Sequence, residues 1–345
     1  MIDEHILIKG HVVTRRVPVN LAPADAALFE PSLAKAIPPT RLLRLRDVRV
    51  DASGLLYSAG RILPESFDHP KRLRGWRRAR YHGAFWCRNM LAKSRDRLDV
   101  PALWITDNWS SDYFHWLLDA LPRLQVVQQL HEDGTLLLSA TCRTREFVRA
   151  SLSLLGVGPV RFVGDREVLR FAHLMLPTLT APTGNYNPEI VQGLRTRFRD
   201  GRPGPSPPTA VGERVYLSRG KASKRRIANE ADVQHELEAW GFRTVHFEDH
   251  PFEHQVRMAM NARYLISNHG AGLANMLFMA AGSSVLEMRK GGDGQNNCFF
   301  ALASALDLRY LYQMCDTVGP GGDPQADIVV DTLRLRRNVE LMLAG

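Results

Sequence analysis

Residues 264–288, YLISNHGAGLANMLFMAAGSSVLEM, decide how this chain is read. An apolar run, Tyr264-Leu265-Ile266-Ser267, stops at Asn268-His269-Gly270-Ala271-Gly272. A helical pattern follows, and a second apolar run, Ser284-Val285-Leu286-Glu287-Met288, closes the unit. The order is strand, glycine turn, helix, strand. The first N–H groups of a helix have no partner inside it, so the turn offers donors and the positive end of a dipole to an anion. Gly270 and Gly272 would let that anion approach the backbone closely. His269 adds an imidazole able to donate a hydrogen bond to a phosphate oxygen.

The same alternation extends in both directions. Upstream, 213–218 reads as a strand followed by the basic loop 219–226. Asn229 is placed to cap a helix that runs to Trp240, with Glu230 and Asp232 in its first turn and Gly241 as the residue after it. Residues 242–247 read as a strand and 252–262 as a helix, with Phe252, Val256 and Met260 on its apolar face. Downstream come a helix over 296–306, a strand over 308–312 and a last helix over 332–343. Strands alternating with helices predict a parallel sheet covered on both faces, which binds ligands beyond the carboxyl ends of its strands. That rule puts Ser218-Arg219-Gly220, the 268–272 turn and the segment after Glu287 on one rim.

Arg219 follows a strand directly. Its planar guanidinium suits phosphate oxygens and its charge does not titrate away. Lys224 and Arg225 add positive potential, whereas Lys221 reads as solvated. Glu287 ends a strand, where an acid can accept from ribose hydroxyls; the plainer alternative is an ion pair with Arg289.

Residues 201–209, GRPGPSPPT, read as a linker between domains 1–200 and 210–345. In the first domain, 103–106 is a strand, 107–110 a turn, and Ser111 or Asp112 caps a helix through Leu121. Short strands at 136–138 and 160–163 flank a helix over 144–155. At helical spacing Asp112, His115 and Asp119 share one face. A carboxylate there can orient the imidazole for general-base work; a buried histidine satisfied by its neighbours is the competing reading. No ligand spacing supports a metal site.

A length of 345 residues fits one large or two medium domains. No apolar run approaches the roughly 18–20 residues that span a bilayer. Met1-Ile2-Asp3-Glu4-His5 lacks a secretory pattern, so a cytoplasmic site of action is expected. Cys87, Cys142, Cys298 and Cys315 are scattered, without a C-x-x-C pair, and are expected to be buried free thiols. The net charge of +9 implies anionic partners. One basic cluster, Lys71 to Arg78, reads as a solvated or membrane-facing surface. No nucleic-acid motif follows it.

Taken in order, Asn108 to Asp119, Val215 to Glu230 (V-Y-L-S-R-G and K-R-R-I-A-N-E), Glu253 to Val256, Asn268 to Phe278 and Val285 to Glu287 resemble glycosyltransferase family 61. Asn268 stands where family members often have glycine. The resemblance implies an α/β, GT-B-like fold, with two Rossmann-like domains facing a central cleft. It implies an inverting transfer of sugar from a nucleotide-sugar donor to a glycan or lipid-linked acceptor, in surface polysaccharide biosynthesis. Carried over, Arg219, Lys224, Arg225, His269, Gly270, Ala271, Gly272, Asn275 and Glu287 are donor-site residues. His115, Asp112 and Asp119 are the catalytic candidates, and Asn108 and Trp116 face the acceptor. No cofactor is required, although a divalent cation is compatible, and the enzyme is expected in the cytoplasm or peripherally at the inner membrane face. The competing reading is a non-catalytic nucleotide- or glycan-binding protein of the same fold.

Overall fold

A computed structural model describes residues 2–67, 73–129, 134–201, 211–294, 296–319, 323 and 325–345. Apart from Gly201, the expected linker lies outside the described residues, as do Lys71 and Arg72 of the basic cluster. The chain divides into two compact units, Met1–His11 with Ile37–Thr183, and Val12–Ala36 with Gly184–Gly345. This differs from the boundary expected at residue 200. Helix Pro188–Asp200 belongs to the second unit because Phe198 packs edge-on against Phe278 and Phe252. Segment 12–36 belongs there because Phe29, fully buried, sits among Phe300, Tyr310 and Tyr312.

The second unit carries a six-stranded sheet in the order Arg243–Val245, Arg214–Leu217, Tyr264–Asn268, Ser284–Lys290, Arg309–Thr317, Ile328–Val329. The first five strands are parallel and the last is antiparallel. Both faces are covered, which is why the strands read as apolar runs. Ile266, Leu286, Met288 and Leu311 pack against Val233 and Leu237 of helix Glu230–Ala239 and Leu335, Val339 and Met342 of helix Thr332–Leu343. Burying a side chain of this kind contributes about 1.5–3 kcal/mol.

Several local expectations are revised. The element after the glycine turn is a 3-10 helix, Ala271–Phe278, not an α-helix. Asn275 Nδ2 donates to the Gly272 carbonyl three residues back, reinforcing the tighter repeat. Asn229 precedes its helix, but its side chain does not cap it. The amide exchanges two bonds with the Val330 backbone instead, tying the strand edge to the helix start. Gly241, at φ 75°, ends that helix as expected. In helix Phe252–Asn261 the buried methionine is Met258, not Met260. Of the four free thiols, Cys142 and Cys315 are buried, Cys298 is half-buried, and Cys87 is exposed.

The first unit is built on a nine-stranded mixed sheet. Strands Val160–Phe162, Thr135–Leu138, Ala102–Trp104 and Val168–Pro177 run parallel. From there onward the sheet is antiparallel: Thr40–Asp51 lies along the whole length of Val168–Pro177 and also pairs with Ile2–Ile8. The Rossmann-like pattern therefore holds for part of this sheet only. The His115 helix is interrupted. Segments Tyr113–His115 and Leu121–Gln128 flank a π turn, Trp116–Ala120. Pro122 has no N–H to donate into the preceding turn, so the ladder is loosened where the turn widens.

Candidate active site

In the second unit, parallel strands bring Arg219, Asn268, His269 and Lys290 to the carboxyl rim of the sheet. His269 Nδ1 lies 2.5 Å from Glu287 Oε1, and its Nε2 lies 2.9 Å from Asn296 Nδ2. With Asn296 donating, the ring carries its proton on Nδ1 and gives it to Glu287. Glu287 Oε2 accepts from the Tyr310 hydroxyl at 2.5 Å. Glu287 is fully buried and accepts a hydrogen bond at each oxygen, and through one of them it orients His269.

Burial alone would raise the Glu287 carboxyl. The Arg289 and His269 charges and the His269 and Tyr310 hydrogen bonds outweigh it and hold the carboxyl below its ordinary value. Arg289 is itself fully buried. Its guanidinium donates to Asn297 Oδ1 at 2.8 Å and to the Asp293 and Asn296 carbonyls at 2.6 and 3.1 Å. It also lies over the Phe29 ring, 5.5 Å from its centroid. Strand alternation puts Val285, Glu287 and Arg289 on one face, and the register pairs Glu287 with Tyr312 and Val285 with Tyr310.

Gly270 has extended backbone, φ 176°, so it is not needed for a left-handed conformation. A Cβ there would fall 2.1 Å from Arg219 Nη1 and 2.6 Å from Cζ. The glycine is what lets the guanidinium lie across the turn. Gly272 serves packing likewise, since its Cβ would meet Leu217 Cδ2 at 2.7 Å. Arg219 donates to the Arg225 and Lys224 carbonyls at 3.4 and 3.3 Å. Burial and the adjacent Arg225 charge lower its pKa, with Glu248 opposing. Arg225 adopts φ 54°, unusual for a non-glycine residue, and the Asn268 amide holds its carbonyl at 2.5 Å. Asn268 thus makes a bond that glycine could not. Arg225 Nε and Asn268 Oδ1 are both buried without a hydrogen-bond partner. They belong to the wall of a cleft of about 660 Å³ that is also lined by His269, Lys290, Asp293 and Asn296.

Other donor-side candidates divide. Lys224 is exposed and Ala271 half-buried, whereas Asn275 is fully buried and braces the 3-10 helix. Lys221 is exposed, as expected, and pairs with Asp249.

In the first unit His115 Nδ1 lies 2.7 Å from Asp119 Oδ2, which also accepts from Thr183 Oγ1 at 3.1 Å. The edges of Trp109 and Phe114 flank the ring. Burial pushes the Asp119 carboxyl up; the His115 hydrogen bond and charge oppose this, Asp107 adds to it, and Arg123 opposes it. Asp107 is held by Arg123 Nη2 at 2.7 Å, and its other oxygen accepts from the Trp109 N–H. Asp112 sits exposed at the helix entrance and is not the partner of His115. Asn108 is exposed, its N–H on the Ser66 carbonyl. Trp116 is fully buried, donating to Ser151 Oγ at 2.8 Å, and is a core residue without an acceptor face.

Sequence reading missed Asn296, Tyr310, Thr183, Asp107 and Arg123. The only available signal was Asp107, which stands directly before the Asn108 motif. Among the described residues no cluster of three or more His, Cys, Asp or Glu is arranged to hold a metal ion.

The rim of parallel strands thus carries a glycine turn, a buried carboxylate–histidine pair and the charges of Arg219 and Arg225. The Glycosyltransferase 61 family model matches residues 113–286, about half of the chain, and the chain belongs to that family. Over 82 residues the chain is 40% identical to protein O-linked-mannose beta-1,4-N-acetylglucosaminyltransferase 2 of Mus musculus, covering 23% of this chain and 14% of that protein. Over 110 residues it is 33% identical to the EGF domain-specific O-linked N-acetylglucosamine transferase of Drosophila melanogaster, covering 31% of this chain and 21% of that one. The matches therefore span about a fifth or less of these relatives.

Proposed function

We propose that the protein is an inverting glycosyltransferase whose second unit holds the diphosphate of a nucleotide-sugar. The observation that carries this is the cleft wall, where the buried Arg225 Nε has no partner; Arg219, packed over Gly270, lies close enough for the two charges to act on each other. An unpaired buried donor costs stability unless a ligand satisfies it, and the nearby Arg219 charge adds positive potential suited to a multiply charged oxyanion. In the GT-B reading, the first unit carries the acceptor and its base.

The reaction needs a proton acceptor and a stabilised leaving group. His115, oriented through Nδ1 by Asp119, takes the acceptor hydroxyl proton on Nε2 as the oxygen attacks the anomeric carbon. The bond from that carbon to the diphosphate breaks on the opposite side, inverting the centre. Arg219, Arg225 and Lys290 meet the charge that grows on the leaving diphosphate, with His269 beside Lys290 in the cleft wall. This reading requires no resident cofactor; a divalent cation carried by the diphosphate would add to the same positive field.

Two relatives are named for N-acetylglucosamine transfer, which makes that sugar the first to test. The acceptor in this reading is a glycan or lipid-linked hydroxyl. Calorimetry with UDP-, GDP-, CMP- and dTDP-sugars should identify one tight donor. NMR of the product should then show the inverted anomer. No binding by any nucleotide, or a retained configuration, would sink the proposal. Bound donor with neither transfer nor slow hydrolysis would favour a binding protein instead.

A further inference from the structure

Residues 69–95 contain nine Lys and Arg and no Asp or Glu. This segment alone therefore carries the chain's whole formal charge of +9, since the 36 basic residues elsewhere balance the 36 acidic ones. Most of the segment is the helix Trp76–Leu91. Its inner face is fixed to the first unit. Phe85 is fully buried and stacks on Tyr57 at 4.8 Å, and Arg88 Nε reaches the buried Asp51 at 2.6 Å.

The opposite face is also apolar, yet it is open to solvent. Trp76, Ala79, Gly83, Cys87 and Met90 follow at spacings of three and four, and all are exposed. Trp76 is 68% exposed, Met90 72% and the adjacent Leu91 76%. Trp86, 40% exposed, borders the same face. Arg77 and Arg80 flank the Trp76 ring, each 6.0 Å from its centroid. Among the described residues no helix is long and apolar enough to cross a bilayer.

We infer that the outward face of helix Trp76–Leu91 docks the protein on an anionic phospholipid surface. The helix lies in the headgroup plane, with Trp76, Met90 and Leu91 entering the acyl boundary and Arg77, Arg78 and Arg80 against lipid phosphates. Charge complementarity selects this occupant. An anionic surface attracts a segment in which basic residues are uninterrupted by acids, and the rest of the chain offers it no net charge. An exposed tryptophan beside arginines, with long apolar side chains one helix length away, suits a surface that is apolar beneath and anionic above. The inference stands apart from the donor cleft, whose residues lie in the other unit.

Co-sedimentation of the full chain with vesicles tests it. Vesicles of phosphatidylcholine and phosphatidylglycerol should capture the protein, phosphatidylcholine alone should not, and added salt should release it. Trp76→Ala combined with Met90→Ala should lower the partition coefficient about tenfold or more. Arg77→Gln and Arg80→Gln should each lower it about fivefold. All four side chains are exposed, so the melting temperature and nucleotide binding of these variants should match the wild type, which separates lost docking from lost folding. Absence of capture, or capture that ignores these substitutions, overturns the inference. A dimer dispersed by the Trp76/Met90 variant, without vesicle capture, also overturns it and makes the face a protein interface. Retention on a soluble polyanion that ignores Trp76 and Met90, again without vesicle capture, reduces it to non-specific charge.

Discussion

Each unit holds a histidine whose Nδ1 faces a buried carboxylate, at 2.7 Å for His115–Asp119 and 2.5 Å for His269–Glu287. The geometry is nearly the same and the electrostatics are opposite. Glu287 lies beside the buried Arg289 and accepts from Tyr310, so its charge is held in place. Asp119 has Asp107 nearby as well as Arg123, and much of that arginine is already committed to Asp107. Burial wins there and the carboxyl resists ionisation. A fixed anion makes a rigid orienting post. Asp119, pushed up by burial, depends on the His115 hydrogen bond and charge to ionise, and that bond holds the ring with Nε2 free to accept a proton, which is what a general base requires.

The comparison breaks most sharply at Glu287. Glu287→Gln removes the negative charge nearest the buried Arg289 and turns an amide toward the His269 or Tyr310 donor, and it should cost about 3 kcal/mol or more, read as a lower urea midpoint. Asp119→Asn removes a carboxyl that burial disfavours, so it should leave stability unchanged or slightly raised while lowering turnover about a hundredfold. Equal destabilisation by the two substitutions would erase the distinction between the pairs.

His115→Ala should likewise lower turnover a hundredfold or more with donor affinity intact. Loss of nucleotide binding in that variant would remove His115 from the acceptor side. On the donor side the effects should be smaller and should appear in affinity. Gly270→Ala has a tolerant backbone, but its Cβ takes the place of the Arg219 guanidinium. It should weaken nucleotide binding about tenfold, as should Arg219→Ala, with a stability change within about 1 kcal/mol. Calorimetry and a melting curve on the same sample check both halves.

The two sites differed in how much of them the sequence made legible. His115 and Asp119 are four residues apart on one helix, and local spacing was enough to pair them even across a π turn. The strand–turn–strand frame around His269 was legible for the same reason, because its period lies within a single stretch. The partners that fix His269 come from elsewhere. Tyr310 depends on the register of two parallel strands, and Asn296 on a loop. Phe29, which lies against Arg289 rather than His269, arrives from a segment some 260 residues away in sequence that joins the second unit. No spacing rule reaches that far. A glycine signals close approach, but only coordinates show that Arg219 and Leu217 are the side chains that approach Gly270 and Gly272. Trp116 and Asn275 lie inside matching motifs yet are buried, since a motif records packing as well as chemistry.

The smallest effect is also the most discriminating, because it depends on sign alone. Glu287 has a folded pKa below its unfolded value, so its contribution is complete above the ordinary glutamate range, about 4.3, and is lost as pH falls through the folded value. The deficit of Glu287→Gln should therefore be largest at neutral pH and shrink in acid. Asp119 has a folded pKa above its unfolded value, so the native state holds its proton longer than the unfolded chain does. Its cost is absent below the ordinary aspartate range, about 3.9, and develops as pH rises through the folded value. Any gain from Asp119→Asn should therefore vanish in acid and grow toward neutral pH. Melting temperatures of both variants relative to wild type, followed from neutral to acid pH, should give difference curves of opposite slope. Parallel curves would mean that the two carboxylates share one electrostatic environment, and the division into a fixed post and a working pair would fall.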